Sequence, residues 1–196
     1  MSKNGIIQEY NEEMKVGIII ENIALMLSRR RDAKGTFKEY SEQFKSNLTS
    51  NTTTFNKGDN MVKIVVTFDK VKKIDRFEED NLFTNNPNEY IIYVVQCASP
   101  KIIKMFDCAS NSEIVFVSEV LADRMDHVTQ PNVILLSEEE QQMIKDEYHA
   151  TEHNLQKIRH GTDALARYYQ LKKGEIVEFN SASECSGISV RYRICY

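Results

Sequence analysis

The stretch YIIYVVQ, residues 90–96, is a short apolar run of β-branched and aromatic side chains. A second run, MVKIVVTF, spans residues 61–68. In both runs the apolar residues follow one another instead of alternating with polar ones, which is typical of strands buried on both faces. The two runs therefore predict two strands of a sheet that is covered on both sides.

The chain after residue 96 continues this pattern with a helix and a further strand. SPKIIKMF, residues 99–106, predicts a helix that begins at the Ser-Pro pair and places its apolar side chains on one side. EIVFV, residues 113–117, predicts the next strand. A strand, helix, strand unit joins parallel strands through a right-handed crossover. The first 125 residues are therefore predicted to be α/β.

Two helices are predicted before the strands. The first has an apolar stripe at helical spacing and ends at Arg29, Arg30 and Arg31, whose charges suit the negative end of a helix dipole. The stripe consists of Val16, Ile19, Ile20, Ile23 and Leu27. The second helix begins at Thr36, because Thr36 and Glu39 have the spacing of a capping box.

Two polar stretches separate these elements. Residues 46–60 are rich in Ser, Thr and Asn without a sustained period, so they are predicted to be an exposed connection. The charged residues 69–89 are predicted to be a solvated segment.

The pattern changes after His127. A short apolar run, residues 133–136, leads into a second capping box formed by Ser137 and Glu140, which predicts a helix through Tyr148. The sequence from there to the end predicts smaller elements.

Short helices are predicted after Thr151 and after Thr162 or Asp163. Gly174 is predicted to make the turn into a strand over residues 175–179. The final strand alternates, with Val190, Tyr192 and Ile194 on one face and Ser189, Arg191 and Arg193 on the other. This period of two predicts a sheet covered on one side.

Length and composition fit one medium or two small soluble domains. The chain has 196 residues, of which 41% are hydrophobic and 28% charged. Its formal charge of -4 gives no global attraction for nucleic acid, so any contact with DNA requires a local patch. The apolar runs are too short to span a bilayer, and the four cysteines show no C-x-x-C pair. A soluble protein of a reducing compartment is expected.

One short motif suggests an enzyme. HATEH, residues 149–153, fits the H-x-x-E-H pattern of inverted zinc peptidases, which would make His149 and His153 ligands and Glu152 a base. The pattern needs one uninterrupted helix and a third ligand, whereas Thr151 has the character of a new helix cap. Because the sequence also lacks P-loop, G-x-G-x-x-G and G-x-S-x-G motifs, we predict no catalytic residue, metal or cofactor. A zinc hydrolase remains the alternative.

The carboxy-terminal third carries an ordered set of motifs: RYYQLKKGEIV at residues 167–177, SECSG at 183–187 and YR at 192–193. In this order they resemble the fifth subunit of eukaryotic RNA polymerases, whose carboxy-terminal module is shared by the corresponding small subunit of archaeal RNA polymerase. The two opening helices, MVKIVVTF, YIIYVVQCASPKIIKMF and IVFVSEVLADRMDH also resemble the eukaryotic jaw domain. The resemblance covers most of the chain.

The resemblance implies a non-catalytic subunit of a DNA-directed RNA polymerase. Residues 1–125 would be an α/β jaw at the downstream end of the cleft, and residues 126–196 a mixed-sheet and helix module that assembles on the largest subunit. The fold class is α/β, or α+β overall. Partners would be the largest subunit, other polymerase subunits and, in the assembled enzyme, downstream DNA, with no membrane.

The matching motifs supply candidate contact residues. The predicted partner-binding set is Asp163, Arg167, Tyr168, Gly174, Ser183, Glu184, Gly187, Tyr192 and Arg193. Arginine and tyrosine dominate interface energetics, and glycine permits turns with positive φ. Arg29, Arg30 and Arg31 are predicted to lie near DNA, the alternative being a helix end that carries charge.

The chain departs from the family pattern at four places. Asp163-Ala164 replaces Asp-Pro, Gln170 replaces a glycine, Ser181-Ala182 replaces Arg-Pro and Val133 replaces a histidine. These changes relax turn geometry and suggest a divergent lineage, such as a reduced eukaryote or a large DNA virus. The location would be the nucleus, or the virion or virus factory for a viral polymerase. A free-standing interaction protein with the same module is a third hypothesis.

Overall fold

The computed structural model describes residues 11–49, 51–57, 60–71, 89–109, 111–127, 129–150, 154–183, 185 and 187–196. Its helices are α1 Glu12–Arg29, α2 Phe37–Ser46, α3 Pro100–Cys108, α4 Val117–Val120, α5 Glu138–Glu147 and α6 Ala164–Tyr169. Its strands are β1 Thr52–Lys57, β2 Asn60–Val71, β3 Glu89–Ala98, β4 Ser112–Phe116, β5 Asn132–Leu135, β6 Gln156–Ile158, β7 Ile176–Ser183 and β8 Gly187–Cys195. None of the helices described is long and apolar enough to cross a membrane.

The first sheet has the strand order β1-β2-β3-β4. β2, β3 and β4 run parallel, and β1 is antiparallel to β2. The predicted strand, helix, strand unit is therefore present as β3, α3 and β4. Most of the predicted solvated segment lies outside the described residues.

Both faces of this sheet are covered, as the apolar runs predict. On one face the predicted stripe of α1 packs with α2 against Ile64, Ile92 and Val94, all of which are fully buried. On the other face Tyr93 and Val95 pack against Ile102 and neighbouring residues of α3. The predicted α/β class is confirmed, and so is the capping box of Thr36 and Glu39.

The prediction of an exposed connection over residues 46–60 is wrong in its second half. Thr52–Lys57 forms β1, and Phe55 is 1% exposed between the rings of Tyr40 and Phe44. The Thr53 hydroxyl donates to the Phe44 carbonyl at 2.7 Å. The Thr-rich composition concealed the strand, although β-branched threonine favours strands and Phe55 is a natural anchor for one.

The second sheet has the order β5-β7-β8-β6 and is mixed, because β6 runs parallel to β8 while the other pairs are antiparallel. The Ile144 side chain of α5 packs with Ile176 and Ile194 on one face. On the other face Ala166 of α6 packs with Val177. The capping box of Ser137 and Glu140 is present as predicted.

Two predictions for this sheet are wrong. The short helix expected after Thr151 is absent from residues 154–158, which contain β6 instead, and residues 151–153 lie outside the described chain. The sheet is also covered on both faces at its base, not on one. The alternation in β8 shows which side chains share a face of the sheet, but it does not show which faces are packed against a helix.

Gln170 ends α6 in the left-handed conformation, with φ 55° and ψ 47°. The family that the sequence resembles has glycine at this position, and the chain keeps a backbone conformation that favours glycine. The Gln170 side chain donates from Nε2 to the Tyr90 hydroxyl at 2.7 Å. This bond links the end of α6 to the first sheet and offsets part of the conformational cost.

We expect Gln170→Gly to be more stable than Gln170→Ala by about 1 kcal/mol. Both variants lose the amide, so the difference isolates the cost of a Cβ in the left-handed region. Chemical denaturation of the two variants side by side measures it. Equal midpoints, or a more stable alanine variant, would contradict the strain at this position.

Candidate partner interface

The predicted partner-binding residues fall into two separate groups. Asp163, Arg167 and Tyr168 belong to α6 and its cap, and Arg167 and Tyr168 contact residues 1–125. The second group belongs to the hairpin of β7 and β8, and its described members are Ser183, Gly187, Tyr192 and Arg193. Gly174 precedes β7 in a turn with φ 86°, and Glu184 lies outside the described residues.

The β7–β8 hairpin projects beyond the helices that cover its base. At the base Ile176 pairs with Ile194, and both are buried. Toward the tip Ala182 pairs with Ile188, and both are exposed. Gly187 opens β8 with φ 74°, a conformation that side chains rarely adopt. The tip is therefore uncovered by the described parts of this chain.

One face of the hairpin carries exposed apolar side chains of β8, opposite Asn180 and Glu178 of β7. Ile188 and Val190 point to the same side as Tyr192, because side chains alternate along a strand. Ile188 is 66% exposed and Val190 is 48% exposed. The Tyr148 ring, which follows α5, lies 5.9 Å from the Tyr192 ring and is itself exposed. Together with exposed Ile134 of β5, these side chains form what we call the apolar hairpin face.

Tyr192 lies at the edge of this face. Burial, together with the nearby charge of Glu178, raises the pKa of its hydroxyl. The hydroxyl is therefore a neutral donor at physiological pH. A partly buried tyrosine of this kind offers a partner both an apolar ring and a polar group.

The opposite face of the hairpin carries arginines. Arg191 is exposed, and its Nη2 donates to Ser181 Oγ at 3.0 Å. The Arg193 guanidinium lies over the Phe179 ring, 4.9 Å from its centroid. Arg193 Nε is buried and has no hydrogen-bond partner among the described residues.

Arg167 was predicted to bind a partner, but the structure shows it in contact with other residues of this chain. It forms an ion pair with Glu119 of α4, and its Nη1 donates to the Gly161 carbonyl at 2.7 Å. Its guanidinium also lies 5.1 Å from the centroid of the Phe116 ring. Asp163 caps α6 by accepting from the Leu165 amide at 2.9 Å. Arg167 therefore joins α6 to residues 1–125, and contact with a partner stays a prediction for both residues.

The arginines that end α1 also join the two halves. Arg29 Nη1 lies 2.8 Å from Asp123 Oδ2 and donates to the Tyr168 hydroxyl at 2.8 Å. Arg31 Nη1 lies 2.8 Å from Glu175 Oε1. Since Tyr168 and Glu175 belong to the second half, these contacts connect α1 to the smaller sheet and its helix.

Arg30 is the most buried of the three, at 7% exposure. Its Nη1 and Nη2 lie 2.7 Å and 2.9 Å from the two carboxylate oxygens of Glu113. Nε donates to the Tyr168 carbonyl at 2.8 Å, and Nη2 to the Arg167 carbonyl at 3.0 Å. A cation at these carbonyls satisfies acceptors in the last turn of α6.

The pKa shifts follow from this packing. Burial alone would lower the pKa of Arg30, but the charge of Glu113 and its hydrogen bonds outweigh burial and raise it. Burial raises the pKa of the Tyr168 hydroxyl to about 12. The hydrogen bond from Arg29 lowers this pKa, but its effect is smaller than that of burial. Arg30 is therefore charged and Tyr168 neutral throughout the physiological range.

Proximity of Arg29, Arg30 and Arg31 to DNA stays a prediction. Each guanidinium has a carboxylate partner in this chain, so a DNA phosphate would have to compete with an existing ion pair. The Arg29 and Arg31 side chains are 34% and 38% exposed, whereas the Arg30 side chain is 6% exposed. Arg30 is thus the least accessible of the three to any ligand.

The HATEH motif is only partly described. His149 follows α5 with φ 46°, outside the helix, while Glu152 and His153 lie outside the described residues. Among the residues with assigned positions, no three His, Cys, Asp or Glu side chains are grouped closely enough to hold a metal ion. His149 thus does not continue the helix that the zinc motif requires.

Several interface candidates were missed from the sequence. Ile134, Tyr148, Ile188 and Val190 have no motif signal, and Arg191 differs from other surface arginines only in its place on the hairpin. The alternation of β8 does put Val190 on the face of Tyr192 and Ile194. Its exposure depends on where α5 ends, which only the folded arrangement determines.

Comparison with known proteins gives consistent matches. Residues 123–195 match the family model described as "RNA polymerase Rpb5, C-terminal domain". The chain is 30% identical over 188 residues to "DNA-directed RNA polymerase subunit 5" of Acanthamoeba polyphaga mimivirus, which covers 92% of this chain and 91% of that protein. It is 35% identical over 78 residues to "DNA-directed RNA polymerases I, II, and III subunit rpabc1" of Dictyostelium discoideum, covering 40% of this chain and 39% of the relative.

Proposed function

The chain belongs to the family of fifth subunits of DNA-directed RNA polymerases, and on that premise we propose that it docks on the largest polymerase subunit through residues 126–196. It is a structural subunit of a polymerase. Within that role, we propose that residues 1–125 form part of the downstream jaw and that the chain itself contributes no catalytic group. The comparisons give no support to the zinc hydrolase.

The apolar hairpin face carries the docking proposal. It places Ile188, Val190 and Tyr148 in solvent beside the half-buried Tyr192, and contiguous exposed apolar surface of this kind marks protein interaction sites. Tyrosine in a protein interface is a frequent source of binding energy. A subunit carried by a large assembly would bury this face against its partner.

The division of the chain at residue 126 is part of this proposal. The first sheet draws its strands from residues 52–116 and the second from residues 132–195, and the ion pairs Arg31–Glu175 and Arg167–Glu119 connect the two parts of the chain. These ion pairs support a jaw held at a set angle to the docking module. We propose that downstream DNA contacts the jaw only in the assembled enzyme, since the net charge of -4 offers no general attraction.

The same relatives bear on location. The mimivirus protein matches almost the full chain, which supports a viral polymerase and, with it, the virion or cytoplasmic virus factory. The Dictyostelium protein supports the nucleus instead, in the case of a cellular polymerase.

The docking proposal predicts that Ile188→Asp combined with Val190→Asp weakens binding to the largest subunit of the same polymerase by roughly 30-fold or more. A charge at a desolvated apolar contact cannot be hydrated or paired. Binding of the full chain to the purified largest subunit, followed by interferometry or calorimetry, measures the change. Both positions are exposed, so the variant should fold normally.

Leu48→Asp is the matched control. Leu48 is 39% exposed and lies in the first half, away from the hairpin, so the same charge there should leave binding unchanged. If the hairpin variant bound as tightly as the wild-type chain, docking through this face would be refuted. Lack of binding by the wild-type chain would favour a free-standing interaction protein.

A further inference from the structure

The face of the hairpin opposite the apolar hairpin face carries two arginines, Arg191 and Arg193. Arg191 and Arg193 lie two residues apart on β8, so their side chains leave the sheet on the same side, roughly 7 Å apart along the strand. Neither has a carboxylate partner among the residues that the structure describes. Arg29, Arg30, Arg31 and Arg167, in contrast, all form ion pairs.

Both guanidinium groups are held in place by the chain itself. Stacking over Phe179 fixes Arg193, and the bond to Ser181 Oγ orients Arg191. The buried Nε of Arg193 lacks a described partner, so hydrogen bonding by this guanidinium is incomplete within the described chain. Pre-positioned arginines lose little side-chain entropy on binding, and their planar donors match the two oxygens of a carboxylate.

We propose that this arginine face binds an acidic segment of the largest polymerase subunit, with Arg191 and Arg193 each receiving a carboxylate. The inference rests on the proposed docking and adds the chemistry of the partner. The hairpin would then be held from both sides, by apolar contacts on one face and charge-assisted hydrogen bonds on the other. Paired charges of opposite sign also fix the register of the contact.

A protein carboxylate fits this site better than a nucleic-acid phosphate. The same few residues of hairpin present Ile188 and Val190 on their other face, and exposed apolar side chains favour a protein neighbour over a phosphate backbone. Two arginines are also a small cationic patch on a chain whose net charge is -4. The partner segment is therefore expected to be acidic.

The test compares the full chain carrying Arg191→Gln, Arg193→Gln or both for binding to the purified largest subunit over a range of salt concentrations. We expect the double variant to bind roughly tenfold more weakly at low salt and to show a shallower salt dependence, because ion pairs at an interface edge are screened by salt. Arg191→Gln alone changes an exposed side chain and tests the face without altering the packing on Phe179. Lys173→Gln, at the other end of β7, is the matched loss of one exposed cation and should change nothing.

The outcomes separate this inference from the docking proposal. If Arg191→Gln and the double variant bind with wild-type affinity and salt dependence while Ile188→Asp with Val190→Asp abolishes binding, docking stands and the acidic partner is refuted. If none of these variants weakens binding, both proposals fail. If the arginine variants keep subunit binding but lose affinity for a labelled DNA duplex, the face serves nucleic acid and the inference is overturned.

Discussion

Replacing Arg30 with methionine is expected to lower the free energy of unfolding by about 3–5 kcal/mol. Methionine preserves most of the buried stem but removes the charge, which leaves the Glu113 carboxylate without its partner in a largely buried position. The Tyr168 and Arg167 carbonyls lose their donors as well. Urea denaturation followed by circular dichroism, with m-values compared between variants, measures the loss.

Arg31→Met is the matched control for this prediction. Arg31 forms the same kind of pair with Glu175, but its side chain is 38% exposed, so solvent screens the interaction and the loss should be about 1 kcal/mol or less. Adding Glu113→Gln to Arg30→Met should recover part of the stability, because it removes the unpaired charge. Equal losses in Arg30→Met and Arg31→Met would show that burial does not distinguish these two arginines.

Replacing Phe55 with alanine is expected to destabilise the protein by about 3–5 kcal/mol. The Phe55 ring centroid lies 4.3 Å from that of Tyr40 and 6.1 Å from that of Phe44, so its removal opens a cavity between α2 and β1. The value is large because neighbouring rings fixed by helix and sheet cannot close the space. The same denaturation experiment measures it.

Phe37→Ala provides the comparison for Phe55→Ala. Phe37 opens α2 and is 36% exposed, so truncation there should cost about 1 kcal/mol or less. If Phe55→Ala cost no more than Phe37→Ala, Thr52–Lys57 would behave as the exposed connection that its composition suggests. A much larger loss of stability in Phe55→Ala than in Phe37→Ala would show that β1 is part of the hydrophobic core.

Local sequence signals predicted the larger elements because those elements bury regular patterns. The stripe of α1, the continuous runs of β2 and β3 and both capping boxes depend on residues close together in the chain. β1 and β6 were missed for the opposite reason. Both are short edge strands. β6 is stabilised by pairing with β8, which is distant in sequence, and β1 by one buried side chain, Phe55, so neither has a regular local pattern that predicts it.

The candidate site shows the same division. Tyr192 and Arg193 could be named from motifs, and the alternation of β8 assigned them to opposite faces. Arg30 was predicted to lie near DNA as part of a basic helix end, and Arg167 to bind a partner because it belongs to a matching motif. Their carboxylate partners lie 83 and 48 residues away in the sequence. A sequence does not show which distant charge will be brought into contact with a given arginine.

The sequence by itself determined the family, the α/β class and the helices that cover the first sheet, because each depends on residue order and local periodicity. Only the tertiary structure decided that the arginines ending α1 join the two halves and that the β7–β8 hairpin extends beyond its helices. Both features depend on where separate elements meet in space. The tertiary arrangement determines whether an arginine is buried or an isoleucine is exposed. The reason is that the free energy of each side chain depends on its neighbours and on its contact with water.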